Sequence, residues 1–436
     1  MKSVTRSFVL FVLVVWGAFT AQSQDLNFER GRHHEMLEQV KNDVKKNYFD
    51  ASLKGIDIEA KFKAAEEKMK DASSIGQMSG IIAQFLVDFD DSHLFFIPPP
   101  KATKTDYGFG LKIIGTKCFV ARIDPKSDAA AKGLEIGDEI ISFEGLSPGR
   151  KNLWKIYYLF YELRPRLQIK LKVRKLDGES IDLDIASKIT PGRTILDTSG
   201  QDINKILRDD DDAYYKAVKQ YYYDKVPGIF LWKMPSFSLD AEQVDRIVER
   251  ARKSSLILDL RGNGGGRVDM VQRLLGSFFS TDVKIYDEIG RKETKSIVVK
   301  PRRGGAIDGK LIVLIDAESA SASEIFSKVI QIEKRGTIIG DISAGAVMES
   351  QYFGHKSGID IVVFYGVSVT VADLIMKDGK SLEKVGVIPD ENLVPTAKDL
   401  ASRRDIVLAR AFEMLGHKIS AEEAGKIFPN DYEPVR

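Results

Sequence analysis

The feature that most constrains the fold of this chain is a regular alternation of apolar and amphipathic segments from Val226 onward. Two of the apolar segments are "SLILDL" at 255–260 and "LIVLID" at 311–316, and an amphipathic stretch follows each of them. Apolar runs of this length predict strands that are buried on both faces, as in a parallel sheet covered by helices. Residues 225–436 are therefore predicted to form a domain with an α/β layer architecture.

The 436 residues are too many for one ordinary domain, and the pattern changes several times upstream. Between residues 24 and 103, apolar residues spaced three and four apart predict a helical segment, which ends near "DFDDSH" and leaves His93 on a loop. Residues 104–187 are typical of short strands and turns, with a hairpin at Asp177-Gly178. Residues 188–224 are polar and charged, and we predict a linker or surface insertion there.

Residues 1–23 have the composition of an export signal. Lys2 and Arg6 precede the apolar run "SFVLFVLVVWGAF", and the small residues Ala21 and Ser23 stand where a signal peptidase reads. The apolar run is short for a membrane span, so cleavage is the prediction and an uncleaved signal anchor is the alternative. We therefore expect an exported protein, periplasmic or extracellular, with no other attachment to a membrane.

The charge balance argues against two classes of partner. Once Lys2 and Arg6 are set aside, the basic residues equal the 63 acidic residues in number. A chain without net charge is not expected to bind nucleic acid or an anionic membrane surface. The single cysteine, Cys118, allows no internal disulfide, and the five histidines show no metal-binding spacing, so neither a metal nor another cofactor is predicted.

One candidate segment is "LILDLRGNGGGR", residues 256–267, in which a strand ends in glycines. The simplest interpretation is a tight strand-to-helix turn. A dinucleotide site fails, because Arg267 stands where the third glycine of the G-x-G-x-x-G pattern would be. The third interpretation is an oxyanion hole, in which unobstructed backbone N–H groups stabilise a developing negative oxygen.

A second candidate segment, "LIVLIDAESASASEIFSKVIQ" at 311–331, leads from a strand through three serines into a helix. Ser321 and Glu324 fit the S-x-x-E capping box, which is the default interpretation. A serine at such a corner would also be exposed beside a helix N-terminus, which favours a negative charge. Ala320 and Ala322 leave room for a peptide carbonyl, whose oxygen the N–H of Ala322 could hold.

Residues 104–187 resemble a PDZ domain in the order of their elements. The segment at the position of the carboxylate-binding loop is "YGFGL", which comprises Tyr107, Gly108, Phe109, Gly110 and Leu111. In such a loop, backbone N–H groups hold the terminal carboxylate of a peptide, and the peptide pairs as an added strand. A small β-rich spacer that binds nothing is the alternative.

The motifs "LDLRGNGGG", "SASASEI", "GTIIGD" and "VGVIPD", in this order, resemble those of the carboxyl-terminal processing (tail-specific) serine protease family. The resemblance covers nearly all of the chain after residue 23. It implies an α/β catalytic core of the ClpP/crotonase type, with an inserted PDZ-like domain and a helical N-terminal segment. The site that it implies has Ser321 as the nucleophile, Gly264, Gly265 and Ala322 as the oxyanion hole, and structural roles for Ser319 and Ser323.

The general base departs from the pattern of many members of that family. They use a lysine after the following strand, but Ala346 stands at that position in "GDISAGAV", residues 340–347. The segment "DFDDSHLFF" instead resembles the D-x-H segment of the branch that includes the tricorn protease core. That resemblance implies His93 as the base and Glu383 of "KSLEKVGVIPD" as the group that orients it, although Lys384 replaces the usual glycine. An imidazole titrates near neutral pH, and a carboxylate on its other nitrogen would fix its tautomer.

Two functions are compatible with these residues. The first is an exported serine endopeptidase that hydrolyses tail-tagged or unstructured proteins without a cofactor, and whose PDZ-like domain binds the free C-termini of its substrates. The second is a catalytically inactive protein on the same scaffold that binds peptides or a small ligand. Ala346 is the residue that suggests the second function, since a fold does not guarantee an activity.

Overall fold

The structure, a computed structural model, describes residues 4–101, 103–191, 219–358 and 362–428, with side chains from residue 26 onward. The export signal predicted at 1–23 precedes the described side chains, and residues 192–218 of the predicted insertion lie outside the described residues. Across the described ranges, no helix is both long and apolar enough to cross a bilayer.

The described helices are given first. They are α1 (Val4–Asn47), α2 (Ile58–Lys70), α3 (Ile75–Val87), α4 (Asp128–Ala131), α5 (Leu153–Tyr157), α6 (Ala241–Ala251), α7 (Val268–Leu275), α8 (Ala322–Ile332), α9 (Ala397–Ala401), α10 (Ile406–Met414) and α11 (Ala421–Ala424). A short 3₁₀ turn at Leu53–Gly55 precedes α2, and a π-helical stretch at Tyr158–Leu163 continues α5.

The described strands follow in the same order. They are β1 (Phe95–Ile97), β2 (Thr103–Asp106), β3 (Phe109–Ile114), β4 (Lys117–Ile123), β5 (Glu139–Phe143), β6 (Gln168–Arg174), β7 (Ser180–Ala186), β8 (Lys188–Pro191), β9 (Tyr221–Tyr223), β10 (Ile229–Lys233), β11 (Ser255–Asp259), β12 (Val283–Gly290), β13 (Thr294–Val299), β14 (Leu311–Ile315), β15 (Thr337–Gly340), β16 (Met348–Ser357), β17 (Val363–Met376) and β18 (Glu391–Asn392).

The chain forms two compact units, and they do not follow the order of the sequence. The first unit comprises residues 1–101, 158–165 and 350–371, and the second comprises residues 102–157, 166–349 and 372–436. Two later segments therefore join the predicted helical segment. Strand β1 holds both later segments. It pairs antiparallel with residues 366–368 of β17, and its Phe96 carbonyl accepts a hydrogen bond from the hydroxyl of Tyr158.

The first unit has a core built by α1, α2, α3 and the strand residues beside them. The helical segment predicted to end near "DFDDSH" is confirmed, and its last helix is α3, whose N-cap Ser74 accepts a hydrogen bond from the N–H of Gln77. The apolar residues of α3 pack with α1, α2 and β1, and they belong to a cluster that also includes residues of β17. Representative members of the cluster are Leu37, Val40, Val44, Ile82, Leu86, Val367 and Val369.

The second unit contains a six-stranded sheet in the order β18-β15-β14-β11-β10-β9, parallel except at β9. Alternate residues of each strand point to opposite faces, so Leu256 and Leu258 pack with α6, α7 and α8, whereas Ile257 packs with α10 and α11. Both faces are apolar, which explains the uninterrupted apolar runs of the sequence. The predicted α/β layer architecture is confirmed.

Residues 103–157 and 166–191 of the second unit form an inserted module. Its five-stranded antiparallel sheet has the order β3-β4-β5-β6-β7, and Gly178, with φ 93°, turns the predicted hairpin between β6 and β7. Strands β2 and β8 pair where the module begins and ends. The predicted linker at 188–224 therefore starts in one paired strand, β8, and β9 lies near its end.

Candidate active site

Ser321 stands at the corner between the buried strand β14 and helix α8. Its backbone has φ 52° and ψ −114°, which is a left-handed φ for a residue with a side chain. Such a conformation costs about 1–3 kcal/mol and persists only where the surroundings impose it. The residue is partly exposed, whereas Ala322 after it is fully buried.

The glycine-rich loop after β11 packs directly against this corner. A Cβ atom on Gly265 would lie 2.8 Å from the Cβ of Ser321 and 3.1 Å from the carbonyl oxygen of Ala320, and the φ of Gly265 is +107°. Only glycine satisfies both conditions. A Cβ atom on Gly264, by contrast, would meet open space. The loop is therefore tight behind Ser321 and open beside it.

The three predicted oxyanion donors differ in their hydrogen bonds. The N–H of Gly265 donates to the side-chain oxygen of the buried Asn263 at 2.9 Å, so this amide is already engaged. Within the described parts of the chain, no hydrogen bond uses the N–H of Gly264 or of Ala322. These two amides remain available for a substrate oxygen, and Gly265 has the different role of making room.

Two further serines tie the corner to the glycine loop. The buried Ser319 hydroxyl donates to the carbonyl of Leu260 at 2.8 Å, and the buried Ser323 hydroxyl donates to the carbonyl of Asn263 at 2.9 Å. The N–H of Ala320 donates to the same Asn263 carbonyl at 3.0 Å. Ser319 and Ser323 thus hold two chain segments together, which agrees with the structural roles expected for them.

Glu324 holds more of the site than a capping residue would. Its carboxylate is fully buried and accepts four hydrogen bonds. The donors are the N–H of Ser321 (3.0 Å), the N–H of Gly345 (2.8 Å), the N–H of Ala346 (3.0 Å) and the hydroxyl of Ser343 (2.6 Å). Burial raises the pKa of Glu324 to about 7, and the hydrogen bonds oppose that rise. The S-x-x-E pattern predicted only the contact with Ser321.

Ala346 supplies no base at the position where the resemblance would place a lysine. Its carbonyl accepts the N–H of Ser321 at 3.0 Å, and its own N–H donates to Glu324. The segment is therefore joined to the serine corner through its backbone. The alanine methyl contributes nothing to proton transfer.

Glu383 lies beside the same segment. Its carboxylate accepts the N–H of Val347 at 3.0 Å, and the N–H of Lys384 donates to the carbonyl of Gly345 at 2.7 Å. Lys384, which replaces the usual glycine, has φ 63° and so keeps the backbone that a glycine would adopt. The ammonium group of Lys384 is 3.8 Å from the Glu383 carboxylate. The second unit thus brings Glu383 to the loop that supports Ser321.

His93 belongs to the first unit and is half-buried on the loop between α3 and β1. The backbone N–H of His93 donates to the carboxylate of the buried Asp91 at 2.9 Å, and the ring Nδ1 lies 2.7 Å from the hydroxyl of Ser92. Asp91 also accepts hydrogen bonds from the hydroxyls of Tyr48 (2.8 Å) and Thr370 (2.6 Å). Asp91 therefore fixes the loop that carries His93. The pairing of His93 with Ser321 stays a prediction.

The loop predicted to bind a peptide carboxylate is partly engaged by side chains of its own unit. Tyr107 is buried, and the N–H of Gly108 donates to Asp106 at 2.9 Å. The N–H of Leu111 donates to the hydroxyl of Tyr157 at 2.8 Å. Phe109 and Gly110 begin strand β3 between these two amides.

The described residues contain no group of three or more side chains that could hold a metal ion.

Comparison with known proteins finds relatives for the part of the chain that carries Ser321. The model of peptidase family S41 matches residues 229–393, a range that includes Ser321 and Glu383. A carboxy-terminal-processing protease of Bartonella bacilliformis is 30% identical over 175 residues, which cover 39% of this chain and 38% of the relative. A tail-specific protease of Haemophilus influenzae is 30% identical over 178 residues, which cover 39% of this chain and 26% of the relative.

Other relatives match over a longer range or by fold. A carboxyl-terminal-processing protease of Picosynechococcus is 24% identical over 61% of this chain and 58% of the relative. The chain thus spans less than two thirds of each of these three relatives. The structure of mature CPAF complexed with lactacystin superposes with a TM-score of 0.64 at 14% identity, and covers 86% of this chain and 96% of that chain. At this identity the match shows a shared fold. The chain therefore contains a peptidase family S41 domain at residues 229–393 and is a homologue of the carboxy-terminal-processing and tail-specific proteases.

Proposed function

We propose that the chain is a serine endopeptidase in which Ser321 is the nucleophile, His93 the base and Glu383 the group that orients the base. The observation that carries this proposal is the backbone of Ser321. The capping serines Ser74 and Ser127 have φ −156° and −84°, and the side chain of each accepts a hydrogen bond from its own helix. Ser321 has φ 52°, and its backbone N–H donates to Glu324 at 3.0 Å. The two other caps form without a positive φ, and strained backbone of this kind clusters at active sites.

The proposed reaction uses each of these groups in turn. The Ser321 oxygen attacks the peptide carbonyl carbon while its proton passes to the His93 ring, and the carbonyl oxygen becomes an oxyanion between the N–H groups of Gly264 and Ala322. As the C–N bond breaks, His93 returns the proton to the leaving amine. Water then attacks the acyl-enzyme in the same way and releases the acid and the free serine. Glu383 stabilises the imidazolium in both steps.

The proposed substrates are proteins or peptides with free C-termini, or unstructured proteins. This part of the proposal rests on the names of the relatives, which are carboxy-terminal-processing and tail-specific proteases. The inserted module is proposed to be PDZ-like and to receive the terminal carboxylate at Tyr107, Gly108, Phe109, Gly110 and Leu111. No cofactor takes part in the proposed reaction.

Export completes the proposal. Residues 1–23 are proposed to direct the chain to the periplasm or the exterior and then to be removed, which exposes Gln24 as the first residue. N-terminal sequencing of the exported protein is the direct check. A first residue within the apolar run, or an intact Met1, would contradict removal.

Labelling with a fluorophosphonate probe, which phosphonylates activated serines with release of fluoride, tests the nucleophile and the base. We expect wild type to be labelled, Ser321→Ala to be unlabelled, and His93→Ala to be labelled about 100-fold more slowly, because a base contributes that much or more. His34→Ala is the matched control, since it also removes an imidazole, one that is exposed and paired with Glu66. Equal labelling rates for His93→Ala and His34→Ala would remove His93 from the mechanism.

Mass spectrometry of a disordered test protein after incubation with the chain separates the two candidate functions. New peptides that depend on Ser321 would establish hydrolysis and give the cleavage sites. A folded wild type that binds the test protein but neither cuts it nor reacts with the probe would contradict the endopeptidase. That outcome would support the inactive binding protein suggested by Ala346.

A further inference from the structure

We propose that Asp316 is a positioning residue of the serine site, and that Lys112 of the inserted module supplies the charge that holds it in place. This inference rests on the proposed function, since it concerns the same site. It assigns the inserted module a second role, apart from peptide binding, as a structural part of the catalytic centre.

Asp316 follows β14 directly and joins the two segments that build the site. One carboxylate oxygen accepts the N–H of Gly262 at 2.9 Å, and so holds the start of the glycine loop. The same oxygen accepts the N–H of Glu318 at 3.0 Å and lies 3.3 Å from the hydroxyl of Ser319. Gly262 is two residues from the Gly264 amide, and Ser319 is two residues from Ser321. One carboxylate therefore sets the distance between nucleophile and oxyanion donors.

The other oxygen of Asp316 forms an ion pair with Lys112, which lies in β3 of the inserted module. The ammonium nitrogen is 2.6 Å from this oxygen, with the lysine side chain 26% exposed and that of Asp316 7% exposed. Each partner favours the charged form of the other, so the pair lowers the pKa of Asp316 and raises that of Lys112. A buried carboxylate without such a partner is costly. Arg261 also lowers the pKa of Asp316, but its guanidinium is hydrogen-bonded to Asp259 and Asp405.

A second contact between the module and the site has the same form. Asp341, which follows β15, accepts the N–H of Gly115 at 2.7 Å and lies 3.0 Å from the guanidinium of Arg150. Arg150 also donates to the carbonyl of Ile342 at 2.6 Å. Asp341 begins the segment that ends at Ala346, whose carbonyl holds the N–H of Ser321. The module thus contacts the site through the carboxylates of Asp316 and Asp341, which follow the neighbouring strands β14 and β15.

A positioning role predicts a defect in chemistry rather than in substrate binding. If Lys112 is removed, Asp316 must either take up a proton or turn toward water. In both cases its hold on Gly262 and Ser319 weakens, and the nucleophile and the oxyanion amides are no longer fixed relative to each other. Misplacement of reacting groups by about 1 Å costs on the order of 100-fold in rate.

The test compares Lys112→Met with Lys117→Met, using p-nitrophenyl acetate as a small ester that has no peptide tail. Lys117 lies at the start of β4 and pairs with Glu139 at 3.1 Å inside the module, so its loss removes a similar charge without touching the core. We expect Lys112→Met to lower kcat about 10- to 100-fold with KM within about threefold, and Lys117→Met to leave both within about twofold. A loss confined to thermal stability, with kcat unchanged, would overturn the proposal.

The double variant Lys112→Met/Asp316→Asn is the rescue. An asparagine oxygen can still accept the N–H of Gly262, and the Asp316–Lys112 pair is removed without leaving a charge at position 316, so we expect the double variant to recover at least tenfold over Lys112→Met if the single loss is about 100-fold. If Lys112→Met does not fold, the double variant alone decides. A folded double variant without activity would then contradict the proposal.

Hydrogen exchange keeps this inference separate from the proposed function. Faster amide exchange in residues 260–266 and 316–323 of Lys112→Met than of Lys117→Met is expected whether or not the chain hydrolyses esters. If wild type proves inactive but this difference is present, the endopeptidase proposal fails and the positioning role of Asp316 and Lys112 stands. If wild type is active and the exchange difference is absent, that positioning role is contradicted.

Discussion

Ser321 and Lys384 both hold a left-handed φ although neither is glycine, and both belong to the candidate site. At Ser321 the strain lies at the start of α8, where Glu324 accepts the backbone N–H of the serine. At Lys384 the same strain preserves the backbone next to Glu383, with the N–H of Lys384 bonded to Gly345. At this scale the site therefore depends on the backbone as well as on the side chains.

Gly265 gives the sharpest test of this dependence. In Gly265→Ala the new Cβ would overlap Ser321 at 2.8 Å and the φ of +107° would be strained, so we expect the free energy of unfolding to fall by about 3 kcal/mol or more. Gly264→Ala is the matched control, because its Cβ meets open space, and we expect a loss of about 1 kcal/mol or less. Chemical denaturation measures both. Equal losses would contradict the packing described here.

At the scale of helices and strands, local pattern predicted most elements but not their partners. Residues 363–376 form the single strand β17, although Gly366 stands among them. Gly366 lies within the strand, where a Cβ atom would be 2.4 Å from the ring of Tyr352. A glycine needed for close packing and a glycine needed for a turn look alike in sequence. Only the pairing of the strand in the fold distinguishes the two kinds of glycine.

The candidate site divides in the same way. The serine corner, the glycine loop and the neighbouring "VGVIPD" segment are local patterns, and the sequence sufficed to predict them. The engagement of the Gly265 amide by Asn263 and the four hydrogen bonds of Glu324 depend on side-chain directions and on a segment some twenty residues away. No periodicity carries that information, so these contacts could not be predicted.

Strand β3 offers a prediction about peptide binding. The N–H of Leu111, which an added peptide strand would need, is occupied by the Tyr157 hydroxyl. Tyr157→Phe removes this competitor, so we expect a labelled peptide with a free apolar C-terminus to bind about fivefold more tightly, as for one hydrogen bond of about 1 kcal/mol. Fluorescence anisotropy in a Ser321→Ala background measures it. An unchanged affinity, or equal binding of the C-terminally amidated peptide, would remove this loop from the proposed function.

At the scale of the whole molecule, contacts between distant parts of the sequence decide the arrangement of the second unit. Lys112 and Asp316 are about two hundred residues apart, and each looks like an ordinary surface charge in its own segment. The same holds for Arg150 and Asp341. The inserted module is therefore joined to the parallel sheet by ion pairs. The equal numbers of acidic and basic residues in the sequence do not reveal which of them pair.

The stability of the molecule should depend on pH through Glu324. Its pKa is raised from 4.5 to about 7, so the folded state binds this proton more tightly than the unfolded state does. The resulting stabilisation is present below about pH 4.5 and is lost as the pH rises through 7, on the order of 3 kcal/mol in all. Glu324→Gln cannot lose this proton, so its stability deficit relative to wild type should shrink between pH 5 and pH 8.

Chemical denaturation of wild type and Glu324→Gln at pH 5, 6, 7 and 8 checks this expectation. Other titrating groups act equally in both proteins and cancel in the difference. A deficit that stays constant over this range, or that grows with pH, would show that the carboxyl titrates elsewhere.

The attachment of residues 343–346 has an evolutionary consequence. Glu324 and Ser321 hold this segment by its amides, a carbonyl and one hydroxyl, so these hydrogen bonds do not depend on the side chain at position 346. The same bonds would hold a segment with another residue at that position. A lineage could exchange one proton acceptor for another through single replacements, each made without dismantling the framework around the nucleophile.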